Sequence, residues 1–260
     1  MRKLLGLIAV LLLAAQPAHA DGSARGSAYA NSSRPAVSGV NGKLEAFGGE
    51  FDDNSLGAVA GSITFPLSQR YGLQVDGLAG SWDGDGIYGI GAHLFWRDPS
   101  QGLLGVYADH VRWEAFGGKE VSRVAVEGEL YLGRFALEGM AGAEYGELED
   151  RFFARTNLAM YPHEDLRLFV GHRYLGGDNA LAFGAEWQVA PRGVALFAEG
   201  LVGDETGNAV IGGVRIYLGR EDKSLIRRHR EDDPTNELKG AAQSLTGNLG
   251  PTCTHKCGSQ

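Results

Sequence analysis

Few residues of this chain have the types and spacing that catalysis or metal binding would require. The body of the chain contains His93, His110, His163 and His172, and no serine stands at an obvious partner position for nucleophilic catalysis. The serines within strand-like segments are few: Ser62, Ser81 and Ser122. We therefore predict that the protein is not an enzyme and uses no cofactor. An outer-membrane hydrolase dependent on His110 or His172 is kept as a remote alternative.

Two short motifs could bind a metal, and both have simpler explanations. Asp83-Gly84-Asp85-Gly86 lacks the rest of a calcium-loop pattern, so a hairpin turn accounts for it better. Cys253 and Cys257 flank His255, which makes an incomplete metal site but permits a small disulfide in an oxidising compartment. We expect no bound metal, and a disulfide between Cys253 and Cys257 or no role for them.

The charged residues are the more informative set, because they recur on one face of alternating segments. From Gly42 to Gly219 apolar and polar residues alternate with period two, which is the pattern of β-strands. On the face opposite the apolar one we predict a pore lining made of the following residues: Asp76, Arg123, Glu127, Glu129, Glu138, Glu144, Arg155, Arg167, Arg173, Glu186 and Arg215.

About twelve segments of roughly ten residues each carry this alternation. Their cores are predicted at 42–50, 56–65, 71–81, 86–96, 102–113, 121–132, 134–145, 151–161, 165–174, 178–188, 192–202 and 208–218. The first, fifth and eleventh alternate poorly, so ten to fourteen strands are possible. The 40 glycines, set within apolar segments, suit the bends of a tightly curved sheet.

The turns between the segments are of two alternating kinds. One kind is acidic and glycine-rich, and the other follows an aromatic strand end and often carries Pro or Arg. Aromatic residues at one end of every second strand predict a girdle at a membrane interface. The predicted girdle is Phe65, Trp96, Tyr131, Tyr161, Trp187 and Tyr217.

The chain ends predict export and a change of composition after the strands. Arg2, Lys3, an apolar run and Ala18-His19-Ala20 form a signal peptide over 1–20, followed by a flexible lead over 21–41. Residues 220–260 are predicted to be a polar periplasmic tail, because mixed charge runs are usually solvated. The net charge of −8 argues against a nucleic-acid partner.

Together these features predict an all-β fold: one antiparallel up-and-down transmembrane β-barrel over 42–219 with short loops. A water-soluble β-sandwich or barrel would show the same alternation, but the uniform hairpins, one-sided aromatics and signal peptide favour the membrane barrel. Acids on the sixth and seventh strands would face arginines on the eighth and ninth. Such walls could create a transverse field across a pore, or could simply pair and fill a narrow lumen.

The signal peptide and the hairpin array resemble a proteobacterial outer-membrane β-barrel of the porin-like kind, in an uncharacterised subgroup. The segment Gly213–Gly219 and the charged stretch up to Pro234 resemble the end of such barrels, although typical porins finish on an aromatic residue of the last strand. The resemblance implies the outer membrane of a Gram-negative bacterium, contact with its lipid and insertion by the barrel-assembly machinery.

Two functions remain open from the sequence. The first is a passive narrow channel for small polar solutes or ions. The second is a non-conducting structural barrel whose periplasmic tail binds a partner, such as peptidoglycan or a periplasmic protein.

Overall fold

The fold was described from a computed structural model, which defines residues 34–51, 54–146, 150–175, 177–190, 193–203, 207–219 and 223–247. The predicted signal peptide, most of the predicted lead, and Cys253 and Cys257 lie outside the described residues. The described residues, from Arg34 onward, belong to one compact unit.

Twelve antiparallel strands form a closed up-and-down barrel, as predicted. The strands are β1 (Asn41–Phe51), β2 (Asn54–Pro66), β3 (Tyr71–Trp82), β4 (Asp85–Asp98), β5 (Gly102–Trp113), β6 (Lys119–Leu132), β7 (Phe135–Gly146), β8 (Arg151–His163), β9 (Leu166–Leu175), β10 (Asp178–Ala190), β11 (Val194–Gly203) and β12 (Asn208–Leu218). Each pairs with its neighbours in sequence, and β1 pairs with β12 to close the ring. Closure leaves no unpaired sheet edge.

Successive side chains of each strand point alternately to the outside and to the inside of the barrel. Large apolar side chains are exposed on the outer face of every strand, among them Val59, Ile90, Leu104, Val126 and Val210, each at least half exposed. A soluble protein rarely exposes so continuous an apolar surface. The outer surface is therefore suited to lipid, while the charged residues face inward.

The two ends of the barrel differ in composition. The end that carries the turns after β1, β3, β5, β7, β9 and β11 is called the acidic end. The end where β1 begins and β12 ends is called the termini end. The predicted flexible lead differs from the structure in its last part: Ala36 and Val37 are buried at the termini end, where Val37 packs on Phe95 and Leu103.

The described part of the C-terminal tail contains two helices, α1 (Leu225–Glu231) and α2 (Leu238–Gly247). Among the described residues no helix is both long and apolar enough to cross a membrane. Helix α1 lies against the turns of the termini end, where the Ile226 amide donates to the carbonyl oxygen of Glu164 and Arg230 donates to that of Gly133.

The tail then runs through the lumen from the termini end toward the acidic end. The carbonyl oxygen of Pro234 accepts from Lys43, near the start of β1, and Asn236 contacts Ser62 and Gly61 of β2. Further along, Leu238 and Ala241 join an apolar cluster with Trp82, Ile87 and Trp113 near the acidic end.

The expectation of a solvated periplasmic tail over 220–260 is thus wrong for its described part. Side chains alone can fill the interior of an eight-stranded barrel, but the lumen of a twelve-stranded barrel is wider than side chains alone can fill. Here the C-terminal tail occupies the lumen. Buried wall charges acquire partners from the tail that the strands alone do not provide.

Candidate functional site

The charged lumen is the candidate site, and all eleven residues of the predicted pore lining point into it. Arg123 is only 2% exposed and forms an ion pair with Asp109 on the neighbouring strand β5. Arg167 of β9 contacts Glu138 of β7 at 2.7 Å. The wall charges therefore pair with one another over much of the lumen.

The acidic members of the lining have different partners. His93 bridges two of them, with Nε2 2.9 Å from Asp76 and Nδ1 2.9 Å from Glu127. Glu129 accepts a hydrogen bond from the Tyr131 hydroxyl at 2.7 Å. Glu144 is buried, and its carboxylate oxygens accept no hydrogen bond from the part of the chain that the structure describes.

A second cluster lies on the seam where the barrel closes. Arg215 of β12 contacts Glu45 of β1 at 3.0 Å and also pairs with Glu186 of β10. Lys239 of α2 approaches Glu45 at 3.7 Å and Glu199 at 2.8 Å. Burying such charges is costly unless each has a partner, so this cluster couples barrel closure to the position of the tail.

Three of the six predicted girdle residues do not face outward. Tyr131, Tyr161 and Tyr217 are 7%, 2% and 5% exposed and point into the lumen, so their assignment to an interfacial girdle is wrong. The hydroxyls of Tyr161 and Tyr217 lie 2.8 Å from the two ring nitrogens of His229 in α1. Their inward direction follows from strand parity, because Tyr131 shares a face with Glu129 and Tyr217 with Arg215.

The other three predicted girdle residues remain on the outer side. Phe65 is 38% and Trp187 is 56% exposed, and Trp96 alternates with the buried Phe95 and Arg97. These three rings suit a membrane interface. The aromatic residues at the strand ends therefore have two roles: some lie on the outer surface, and Tyr161 and Tyr217 contact α1 inside the barrel.

Sequence reasoning missed several residues that hold the tail. Lys43 contacts Asp233 at 2.5 Å, and Arg97 donates to the carbonyl oxygen of Asp232 at 3.1 Å. Arg123 donates to the carbonyl oxygen of Glu237 at 2.8 Å. Parity could have placed Lys43 beside Glu45 on the inner face, but nothing in the strand pattern indicated a partner from the tail.

Two small cavities border the tail within the lumen. A polar cavity of about 70 Å³ lies beside the tail, bordered by Arg155, Arg173, Glu199 and Glu237. A second cavity, of about 40 Å³, is bordered by Glu186, Arg215 and His229. Cavities of this size hold a few water molecules. With the tail in place, these two spaces do not form a wide passage.

The histidines considered for hydrolysis lie on the outer face. His110 Nδ1 lies 3.0 Å from the Ser122 hydroxyl, so a serine does stand beside it, contrary to the sequence-based expectation. The nearest acid, Glu120, is 4.0 Å from Nε2 and is already paired with Arg112. His172 contacts Asn179 at 2.9 Å. These contacts are exposed, and Glu120 is engaged by Arg112 rather than held close to His110.

The barrel has the fold of outer-membrane porins and channels. No protein-family model and no curated protein matches the chain. Among solved structures it is similar to the KdgM porin, with a TM-score of 0.54 and 8% identity over 67% of this chain and 98% of that one. It is also similar to an outer-membrane channel from Pseudomonas putida F1, with a TM-score of 0.51 and 12% identity over 77% of this chain and 99% of that one.

Proposed function

We propose that this protein is an outer-membrane, porin-like channel for small polar solutes or ions whose lumen is closed by its own C-terminal tail. The apolar outer surface, the charged lumen and the shared fold support a membrane barrel. In this proposal a signal peptide directs export, and the assembly machinery inserts the barrel into outer-membrane lipid.

The observation that carries the proposal is the nature of the contacts between tail and wall. Lys43 with Asp233, Arg155 with Glu237 and Lys239 with Glu199 are ion pairs, and Lys43, Arg97 and Arg123 also donate to backbone carbonyls of the tail. Water and ions can replace these ionic contacts when the tail leaves. The apolar contacts of Leu238 and Ala241 near the acidic end would be lost as well. A charged wall would then line a wet passage.

The experiment locks the tail in place and releases it within one protein. Asn236 Nδ2 lies 3.4 Å from Ser62 Oγ, so Ser62→Cys with Asn236→Cys places a thiol of the wall near a thiol of the tail. Loss of free thiols on oxidation verifies that the disulfide has formed before the measurement. Cys253→Ser and Cys257→Ser remove the native thiols. We expect no single-channel steps from the oxidised protein in a planar bilayer and discrete steps after reduction.

Each alternative has a distinct outcome in that experiment. Steps from the oxidised protein would show that the tail does not close the passage. A folded barrel without steps in either state would overturn the channel and favour the non-conducting structural barrel. The same background without the new cysteine pair controls for effects of the oxidant.

The structural barrel is the second candidate, and the filled lumen favours it specifically. Within the described residues the tail contacts the wall of its own barrel. The periplasmic partner expected from the sequence stays a prediction.

A further inference from the structure

Two arginines face each other on the inner wall at the level where the tail crosses the lumen. Arg155 of β8 and Arg173 of β9 are direct cross-strand partners, and both point inward. Like charges placed directly opposite each other destabilise a pair of strands. Such an arrangement is stable where an anion sits against it.

The tail provides one carboxylate for these two guanidinium groups. Arg155 Nη2 lies 2.7 Å from Glu237 Oε1, and the two side chains are only 10% and 9% exposed. Arg173 donates instead to the Asn157 side-chain oxygen at 2.7 Å and to the carbonyl oxygens of Thr156 and His172. None of the carboxylates in the described ranges forms an ion pair with Arg173.

Space for a ligand adjoins the pair. The cavity of about 70 Å³ is bordered by both arginines, by Asn157 and by Glu237 of the tail. Departure of the tail would enlarge this space, because Glu237 and its neighbours form one side of it. Guanidinium groups bind planar oxyanions through paired, charge-assisted hydrogen bonds.

We infer that Arg155 and Arg173 form an oxyanion-binding site on the channel wall, and that Glu237 occupies it as an internal counter-ion while the tail closes the lumen. The ligand is a small solute that carries a carboxylate or a phosphate. This inference rests on the proposed function only for the displacement of the tail. A solute that binds the site and the Glu237 carboxylate compete, so each weakens the binding of the other.

The test measures binding in detergent, without a membrane or a current. The full chain, refolded in micelles, is titrated calorimetrically with succinate, with inorganic phosphate and with glucose as a neutral probe. We expect Glu237→Gln to bind succinate or phosphate at least tenfold more tightly than the parent protein, because the competing charge is removed. Glucose should not bind at this site.

Further variants assign the site to the two arginines. Arg155→Gln and Arg173→Gln, each combined with Glu237→Gln, should lose at least tenfold in affinity. Arg112→Gln, at an exposed arginine on the outer face, is the matched control and should not change it. Heat-modifiable migration on gels checks that every variant is a folded barrel.

The outcomes separate this inference from the proposed function. Unchanged affinity after replacement of either arginine, or no oxyanion binding by the Glu237→Gln protein, would overturn the site. Tighter binding of phosphate than succinate would assign the site to phosphate-bearing solutes, and the reverse order to carboxylates. Oxyanion binding through the arginines by a protein that never conducts would uphold the site and overturn only the channel.

Discussion

Single residues determine how much charge the lumen can hold. Arg215 lies between Glu45 and Glu186 and is 7% exposed, so it forms ion pairs with two buried carboxylates at the seam of the barrel. Removing one partner from a buried ionic group leaves an uncompensated charge, which is much more costly than losing an exposed pair.

We therefore predict that Arg215→Met lowers the free energy of unfolding by about 3–5 kcal/mol. Urea unfolding of the barrel in lipid vesicles measures it. Arg112→Met is the control, since that side chain and Glu120 are 50% and 40% exposed, and we expect a loss of at most about 1 kcal/mol. Equal losses in the two variants would contradict a dry, ion-paired seam.

A glycine on the same seam is required for close contact of the backbones. A Cβ atom at Gly49 of β1 would overlap the carbonyl oxygen of Val210 in β12 and press on the Cα atom of Ile211. Backbone atoms within a closed sheet cannot move aside at low cost.

We predict that Gly49→Ala destabilises the barrel by about 1–3 kcal/mol or blocks its closure. The yield and thermal midpoint of the heat-modifiable, folded form report the effect. Gly57→Ala is the comparison, because no atom lies within 4 Å of a Cβ placed there. If Gly57→Ala proved as damaging as Gly49→Ala, the loss would not come from contact across the seam, because the smaller entropy of the unfolded chain favours Ala at an open site.

At the scale of elements, α1 anchors the tail at the termini end. Glu231 ends the helix and pairs with Arg34 at 2.8 Å, Arg227 at 3.0 Å and Lys223 at 3.4 Å. Burial by itself raises the pKa of Glu231. The hydrogen bond from Arg227 and the charges of Lys223, Arg227 and Arg34 outweigh it, so the pKa lies below its ordinary value of 4.5.

This lowered pKa predicts that acid loosens α1. A carboxyl whose folded pKa is depressed stabilises the docked helix above the unfolded pKa, and the contribution is lost as the pH falls through the folded pKa. Amide hydrogen exchange should show α1 better protected in the parent than in Glu231→Gln at pH 7. The difference should shrink as the pH falls below 4.5 and vanish below the folded pKa of Glu231. A difference that persists at lower pH would argue against this ionic contribution.

At the scale of the whole molecule, the barrel and its tail form one structure. Lys239 lies within the lumen. Its amino group is 4.8 Å from the centre of the Phe197 ring and donates a hydrogen bond to the Glu199 carboxylate. The peptide bond after Lys239 is therefore shielded by the barrel wall.

We predict that trypsin leaves the bond after Lys239 intact in the folded barrel and cuts it after heat denaturation. Mass spectrometry of the digest identifies the fragments. Lys43→Gln should increase cleavage there, since it removes the ion pair with Asp233. Rapid cleavage in the intact parent protein would instead place the tail outside the lumen.

The amino-acid sequence by itself determined the barrel and the direction of its side chains. Period-two alternation is a local property of the chain, and it predicts about twelve strands within a range of ten to fourteen, the approximate boundaries of the hairpins and the inward set from Asp76 to Arg215. The same parity already placed Tyr131 and Tyr217 inside, although their position at strand ends resembled a girdle.

Only the tertiary structure decided what fills the barrel. The path of the tail depends on lumen width and on pairs such as Lys43 with Asp233, which are distant in sequence and carry no local signal. A charged segment is solvated in isolation, but beside buried opposite charges its ionic contacts offset the cost of burying it. Closure of the ring created that environment.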